Sequence, residues 1–148
     1  MTKEERLEYN RIWRKNNKEK VLKYKSNYRK KNKEKIKEYK DKYYQEHKKE
    51  IKEYKKTKAG RACNLVGRYK SADKQANRGK CTLTAQWVIN NIFSSKCHYC
   101  GETDWTKLGA DRIDNDKPHT PDNCVPCCYE CNTKRGTKDY EEFLKQIK

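Results

Sequence analysis

Two Cys-x2-Cys pairs constrain this chain more than any other feature of its sequence. Cys97 and Cys100 form the first pair, and Cys128 and Cys131 form the second. Two such pairs at this separation are typical of one tetrahedral zinc site, in which four thiolates hold a single ion. Because zinc binding supplies folding free energy directly, the segment between the pairs can fold around a small core. The pairs therefore predict a short domain stapled by structural zinc.

The remaining cysteines leave one alternative open, since Cys124 and Cys127 are also spaced as a Cys-x2-Cys pair. With Cys128 and Cys131 as the ligands, the other four cysteines are expected to be small thiols, buried or partly buried. These four are Cys63, Cys81, Cys124 and Cys127. A Lys-rich chain without a signal peptide favours reduced thiols and a metal, and a disulfide framework is the alternative.

The charge of the chain is large and unevenly distributed. The 148 residues carry a net charge of +17, and residues 1–58 contribute 23 Lys/Arg against 10 Asp/Glu. Such an excess predicts a polyanionic partner, with nucleic acid first and an anionic membrane surface second. No apolar run approaches the length of a membrane span, and the first residues are not a signal peptide. We therefore expect no membrane partner and an intracellular location, in the cytoplasm or nucleus of a host cell, rather than secretion.

Residues 1–58 repeat with a period of 15, which predicts a helical segment that we call the repeat arm. The repeat is marked by Tyr9, Tyr24, Tyr39 and Tyr54, with Trp13, Tyr28 and Tyr43 four positions after the first three. Lys, Glu and Arg dominate and Gly and Pro are absent, so the segment should be helical. Fifteen residues overshoot four turns by about 60°, so the aromatic stripe of one straight helix would turn away from a flat partner. The alternative, which we favour, is a series of short or kinked helices broken near Asn17, Asn32 and His47. Contact with DNA phosphates is the functional interpretation; a solvated charged helix is the structural alternative.

The rest of the chain predicts an α+β fold in two further parts. Residues 59–96 should form connecting helices over 61–77 and, behind a Thr84 cap, over 85–93. Residues 97–148 should form the zinc-bound domain: a strand at 108–113, a polar loop, a strand at 123–127, a helix from 128 to 136, and a last helix over 140–147. The apolar cluster from Trp87 to Phe93 is the expected core.

Several motifs in residues 82–148 together resemble a zinc-stapled HNH endonuclease of the kind found in phages and large DNA viruses. They are Cys97-x2-Cys100, Gly109-Ala110-Asp111-Arg112-Ile113-Asp114, Asp122-Asn123 and Cys128-x2-Cys131-Asn132. The resemblance implies a ββα-metal fold that hydrolyses DNA with one divalent ion, magnesium or manganese. It makes Asp111 and Asn132 ligands of that ion and Asn123 a clamp on the loop between the strands. Hard oxygen donors of this kind suit magnesium.

One position departs from the family pattern. Arg112 stands where the family has its general-base histidine, and arginine stays protonated at neutral pH. Arg112 could instead hold the scissile phosphate. The base would then be His119, Asp114 or His98, of which His98 is better explained as an orienting or surface residue, or bulk water would serve.

The interpretation that these patterns favour is a metal-dependent DNA endonuclease with a basic arm. A zinc module that binds DNA without cleaving it is the first alternative, because of Arg112. A protein that binds or cleaves RNA is the second, since phosphate contacts alone do not distinguish the sugar.

Overall fold

The chain is α+β and mostly helical, as predicted. The computed structural model describes residues 1–147, which contain seven α-helices and one two-stranded antiparallel sheet. In chain order the elements are α1 (Lys3–Asn16), α2 (Lys18–Lys31), α3 (Lys33–Lys56), α4 (Lys58–Gln75), α5 (Ala85–Asn91), β1 (Leu108–Arg112), a 3-10 turn (Pro121–Asn123), β2 (Cys124–Cys128), α6 (Tyr129–Arg135) and α7 (Tyr140–Ile147). They divide into two units, Met1–Lys48 and Lys49–Lys148.

The first unit consists of helices joined at asparagines, and none of the residues of α1, α2 or α3 is buried. The predicted breaks at Asn17 and Asn32 are confirmed. At both positions the side-chain amide and the backbone N–H of the asparagine donate to the same carbonyl four residues back. The predicted break at His47 is wrong, because α3 continues through it. The His47 ring packs against Tyr43 one turn earlier, with centroids 4.3 Å apart, so it supports the helix.

Helix α4 begins earlier than predicted, at Lys58 instead of residue 61. Thr57 is its N-cap and accepts a hydrogen bond from the backbone N–H of Gly60 at 3.1 Å. Gly60 therefore lies in the first turn of α4 and does not end the preceding helix. A Cβ at this position would lie 2.0 Å from the carbonyl oxygen of Tyr54, so the close approach of the two segments requires glycine. The helix ends at Gln75, two residues before the predicted end.

The hydrophobic core lies where α4 and α5 meet the hairpin. Its apolar members, apart from cysteines, are Ala62, Val66, Leu83, Val88, Ile92, Phe93 and Leu108. The prediction of a core cluster in α5 is confirmed, with Trp87 and Ile89 half-buried beside it. Thr84 caps α5 as expected by accepting from the Trp87 N–H at 3.1 Å. The helix ends at Asn91, and Phe93 follows it into the core.

Strands β1 and β2 pair in a register that places Ala110 opposite Pro126. Each outer edge has a hydrogen bond to a neighbouring segment. The Ala110 N–H donates to the Tyr69 hydroxyl of α4 at 2.8 Å, and the His98 N–H donates to the Pro126 carbonyl at 2.8 Å. Covered edges of this kind prevent pairing with other chains. Helix α6 follows β2 directly and ends at Gly136, whose φ of 55° is unfavourable for other residues.

Candidate metal centre and its surroundings

The four predicted zinc ligands come together at one end of the hairpin. The Sγ atoms of Cys97, Cys100, Cys128 and Cys131 all lie within 4.8 Å of one another, and those of Cys100 and Cys128 are 3.7 Å apart. In a tetrahedron with zinc–sulfur bonds of about 2.3 Å, the sulfur atoms are about 3.8 Å apart. The geometry of the cluster therefore fits a structural metal such as zinc.

Backbone N–H groups point at two of the sulfur atoms, as thiolates require. The Cys128 N–H donates to Cys97 Sγ at 3.3 Å, and the Cys131 N–H donates to Cys128 Sγ at 3.4 Å. Burial works to raise the pKa of Cys97, but amide donors from Cys100, Cys128 and Tyr99 outweigh it and lower that pKa to about 7. Cys128 also caps α6, so the second knuckle is the junction of strand and helix.

The competing pair, Cys124 and Cys127, lies in β2 outside this cluster. Burial raises the pKa of Cys124 to about 12 and raises that of Cys127 strongly. Both are thus protonated, structural thiols. Cys81 is buried as well, but Cys63 is exposed, contrary to prediction, with its Sγ 3.9 Å from the Tyr54 hydroxyl.

Asp111 is buried at the end of β1, and its carboxylate already has strong partners. Its Oδ2 accepts from the Tyr99 hydroxyl at 2.7 Å and from the Arg135 guanidinium at 2.6 Å. Arg135 is almost wholly buried and also donates to the carbonyls of Arg112 and Ile113. One guanidinium therefore joins α6 to the end of β1 and compensates the Asp111 charge.

Asn132, the other predicted magnesium ligand, lies elsewhere on α6. It is exposed and borders an open depression of about 170 Å³ that is also lined by Arg61, Arg68, Tyr69 and Lys107. None of the described residues lining this depression is acidic. The described contacts of the Asp111 carboxylate are with Tyr99 and Arg135, and Asn132 shares its depression with Arg61, Arg68 and Lys107.

Arg112 is held in the loop that follows β1. Its Nη1 donates to the carbonyl of Asn115 at 2.8 Å and lies 3.9 Å from the Asp73 carboxylate. Burial lowers the pKa of Arg112, which nevertheless remains a cation. The side chain thus stabilises the loop between the strands, and its guanidinium faces an internal carboxylate.

His119, the first candidate for the general base, is buried against α4. Its ring Nδ1 lies 2.9 Å from Asp73 Oδ2, its backbone N–H donates to the same carboxylate at 2.8 Å, and its ring stacks on Tyr69 at 4.3 Å. Burial lowers the pKa of His119, and this effect outweighs the opposing effect of Asp73. The structure therefore places His119 in an internal contact with Asp73 and Tyr69, and its role as a base stays a prediction.

The remaining candidates for the general base, Asp114 and His98, have partners other than Asp111. Asp114 is half-buried and pairs with Lys117 at 2.9 Å, and the exposed His98 has its Nε2 2.7 Å from the Tyr140 hydroxyl. Asn123 has the contacts of a loop clamp. Its Oδ1 accepts from the Asp114 N–H at 2.8 Å, and its Nδ2 donates to the Asp114 carbonyl at 3.0 Å and to the Pro118 carbonyl.

Sequence reasoning missed Asp73, Tyr99 and Arg135. Asp73 did leave a signal, because it is the only acidic residue in α4 and lies among apolar and basic neighbours. Arg135 left no signal in the sequence. A basic residue near the end of a short helix is common, because it interacts favourably with the helix dipole.

Comparison with known proteins provides a viral relative. No protein-family model matches the chain. A stretch of 78 residues is 36% identical to "Uncharacterized protein R423" of Acanthamoeba polyphaga mimivirus. The match covers 52% of this chain but 14% of that protein, and a relative in a virus agrees with the viral character of the sequence resemblance. None of the helices described within residues 1–147 is long and apolar enough to cross a membrane.

Proposed function

We propose that this protein binds DNA and that its ββα unit, stapled by zinc, is of the HNH endonuclease type. The observation that carries the proposal is the four-cysteine cluster. It ties the first knuckle to the junction of β2 and α6, so that zinc fixes the hairpin and helix together. Cysteine thiolates in a closed set of four suit a structural ion rather than a catalytic one.

The charge of the chain supports DNA as the partner. Residues 1–58 carry a net +13, and α1 to α3 leave large aromatic side chains exposed. Within the second unit, Arg61, Arg68 and Lys107 line the depression beside Asn132, and none of the described lining residues is acidic, although Lys107 pairs with Glu102 at 2.9 Å. Phosphate contacts from such groups position a protein on DNA.

Binding is tested by titrating the full chain into labelled duplex DNA at several salt concentrations, followed by fluorescence anisotropy. We expect binding that weakens steeply and linearly in log–log form as salt rises, because each phosphate contact releases about one counterion. Single-stranded DNA and duplex RNA of the same length serve as comparisons. Absence of binding at 50 mM salt contradicts the proposal, and clearly tighter binding to RNA replaces DNA with RNA as the partner.

DNA cleavage is a second candidate, favoured by Asp111 at the end of β1 and Asn132 in the following helix, as the resemblance implies. The arrangement does not fit a divalent ion well, because Arg135 already compensates the Asp111 carboxylate and Asn132 is not among its partners. Arg112 donates to the loop carbonyl of Asn115, and the His119 ring is engaged by Asp73, so no base with a free ring stands beside Asp111 among these candidates. We therefore rank binding above cleavage.

Supercoiled plasmid incubated with magnesium or manganese distinguishes the two candidates. Cleavage that disappears in Asp111→Asn, while zinc content and DNA binding persist, establishes the endonuclease. Cleavage equal in the wild type and in Asp111→Asn indicates a contaminant. No cleavage with either metal leaves the binding function alone.

A further inference from the structure

One repeat of the arm carries more net positive charge than any other part of it; residues 48–58 follow with +4. Residues 18–32 contain seven Lys/Arg and a single acidic residue, Glu19, for a net +6. The flanking repeats, residues 3–17 and 33–47, reach only +2 and +1, because acidic residues alternate with their basic ones. Glu19 lies in the first turn of α2, where a carboxylate interacts favourably with the helix dipole, so the rest of α2 presents only positive charge.

The same repeat is bounded at both ends by the same backbone joint. Asn17 has φ −113° and ψ 31°, and Asn32 has φ −108° and ψ 23°. In both, the side-chain Nδ2 donates to the carbonyl of the aromatic residue four positions back, Trp13 at 3.0 Å and Tyr28 at 2.9 Å. The next repeat has no such joint, because α3 continues through His47. The most basic helix is thus the one set off from both neighbours.

A repeated joint gives successive helices a repeated change of direction, which is how repeat proteins generate surfaces that follow a long partner. Helix α2 has 14 residues and a length of about 21 Å. Phosphates of one DNA strand are spaced about 3.4 Å along the duplex axis, so a length of about 21 Å measured along that axis spans about six of them. The seven cations of α2 are comparable in number to these phosphates.

We propose that α2 is the principal phosphate-contacting element of the protein and that the joints at Asn17 and Asn32 set its direction along the backbone of duplex DNA. The inference rests on the proposed function of DNA binding. It goes further by assigning the contact to one helix and by making the two joints necessary for it. If the arm acted only as a uniformly charged segment, no single helix would dominate binding and the joints would not matter.

The first test compares two charge-matched variants of the full chain by the salt dependence of duplex DNA binding. Lys23→Gln with Lys30→Gln removes two charges from α2, and Lys37→Gln with Lys40→Gln removes two from α3; all four side chains are exposed. We expect the slope of log K against log salt to fall by about 2 for the α2 variant and by less than 0.5 for the α3 variant. Equal losses, or none in the α2 variant, overturn the proposal.

The second test changes the joints without changing charge. Asn17→Ala with Asn32→Ala should merge α1, α2 and α3, and alanine favours helix more than asparagine does, so helicity should not fall. Asn10→Ala with Asn27→Ala is the control, since both residues are exposed within α1 and α2. We expect the joint variant to bind duplex DNA at least tenfold more weakly and the control to stay within twofold of the wild type.

Equal affinity of the joint variant and the wild type would contradict the role of the joints. Heparin binding supplies the remaining comparison, because heparin is a polyanion without the geometry of a duplex. If the joint variant loses heparin affinity as strongly as DNA affinity, duplex DNA is not the partner that the joints serve. Failure of the wild type itself to bind DNA would contradict the proposed function, and the wild-type titration reveals that case separately.

Discussion

Replacing Asp73 by Asn should destabilise the second unit by about 3 kcal/mol, although Asp73 is far from the cysteine cluster in sequence. The Asp73 carboxylate is fully buried and accepts from the backbone N–H and ring of His119 at 2.8 and 2.9 Å. Hydrogen bonds to a charged acceptor contribute about 1.5–3 kcal/mol each. The asparagine side chain keeps one oxygen acceptor, but its NH2 group then faces one of the two His119 donors. It also leaves the guanidinium groups of Arg78 and Arg112, 3.8 and 3.9 Å away, without a counter-charge.

For a domain of about 100 residues this cost corresponds to a fall in Tm of about 12–24 °C. Urea denaturation with zinc held constant, followed by tryptophan fluorescence, measures the free energy of unfolding. Asp116→Asn is the matched control, since Asp116 is exposed, and it should change stability by less than about 0.5 kcal/mol. A cost below about 1 kcal/mol for Asp73→Asn would show that Asp73 does not hold α4 to the loop as described.

Three further predictions concern the metal, a buried histidine and the covered strand edge. Cys128→Ser should abolish the binding of one zinc per chain and unfold the ββα unit, whereas Cys124→Ser should retain zinc; metal analysis of both purified variants checks this. Because burial holds the pKa of His119 below its usual 6.5, the native state resists protonation, so stability should be full above pH 6.5 and fall below it. His119→Gln should flatten the fall between pH 7 and 5 in urea titrations. Tyr69→Phe should cost about 1–2 kcal/mol and accelerate hydrogen exchange at the Ala110 amide, which would lose its acceptor, and unchanged exchange would refute that contact.

Local sequence signals predicted most of the helices and strands. The Cys-x2-Cys spacing predicted which four cysteines cluster. Thr84 predicted the start of α5, and Asn17 and Asn32 predicted the joints of the repeat arm. Each of these features depends on residues a few positions apart, or on a metal whose coordination number is known in advance. His47 was misjudged because its side chain packs on the preceding turn, where asparagine hydrogen-bonds to the backbone.

The surroundings of the predicted site residues depended on contacts between distant segments. Whether Asp111 faces a metal or a guanidinium depends on Arg135, 24 positions later, and the burial of His119 depends on Asp73, 46 positions earlier. No local pattern encodes such pairs, because they form only when packing removes both partners from water and each must find its counter-charge. The sequence by itself therefore determined which four cysteines come together, the basic character and the order of the elements. Only the tertiary structure decided that Asp111, Arg112 and His119 are engaged by neighbours within the protein.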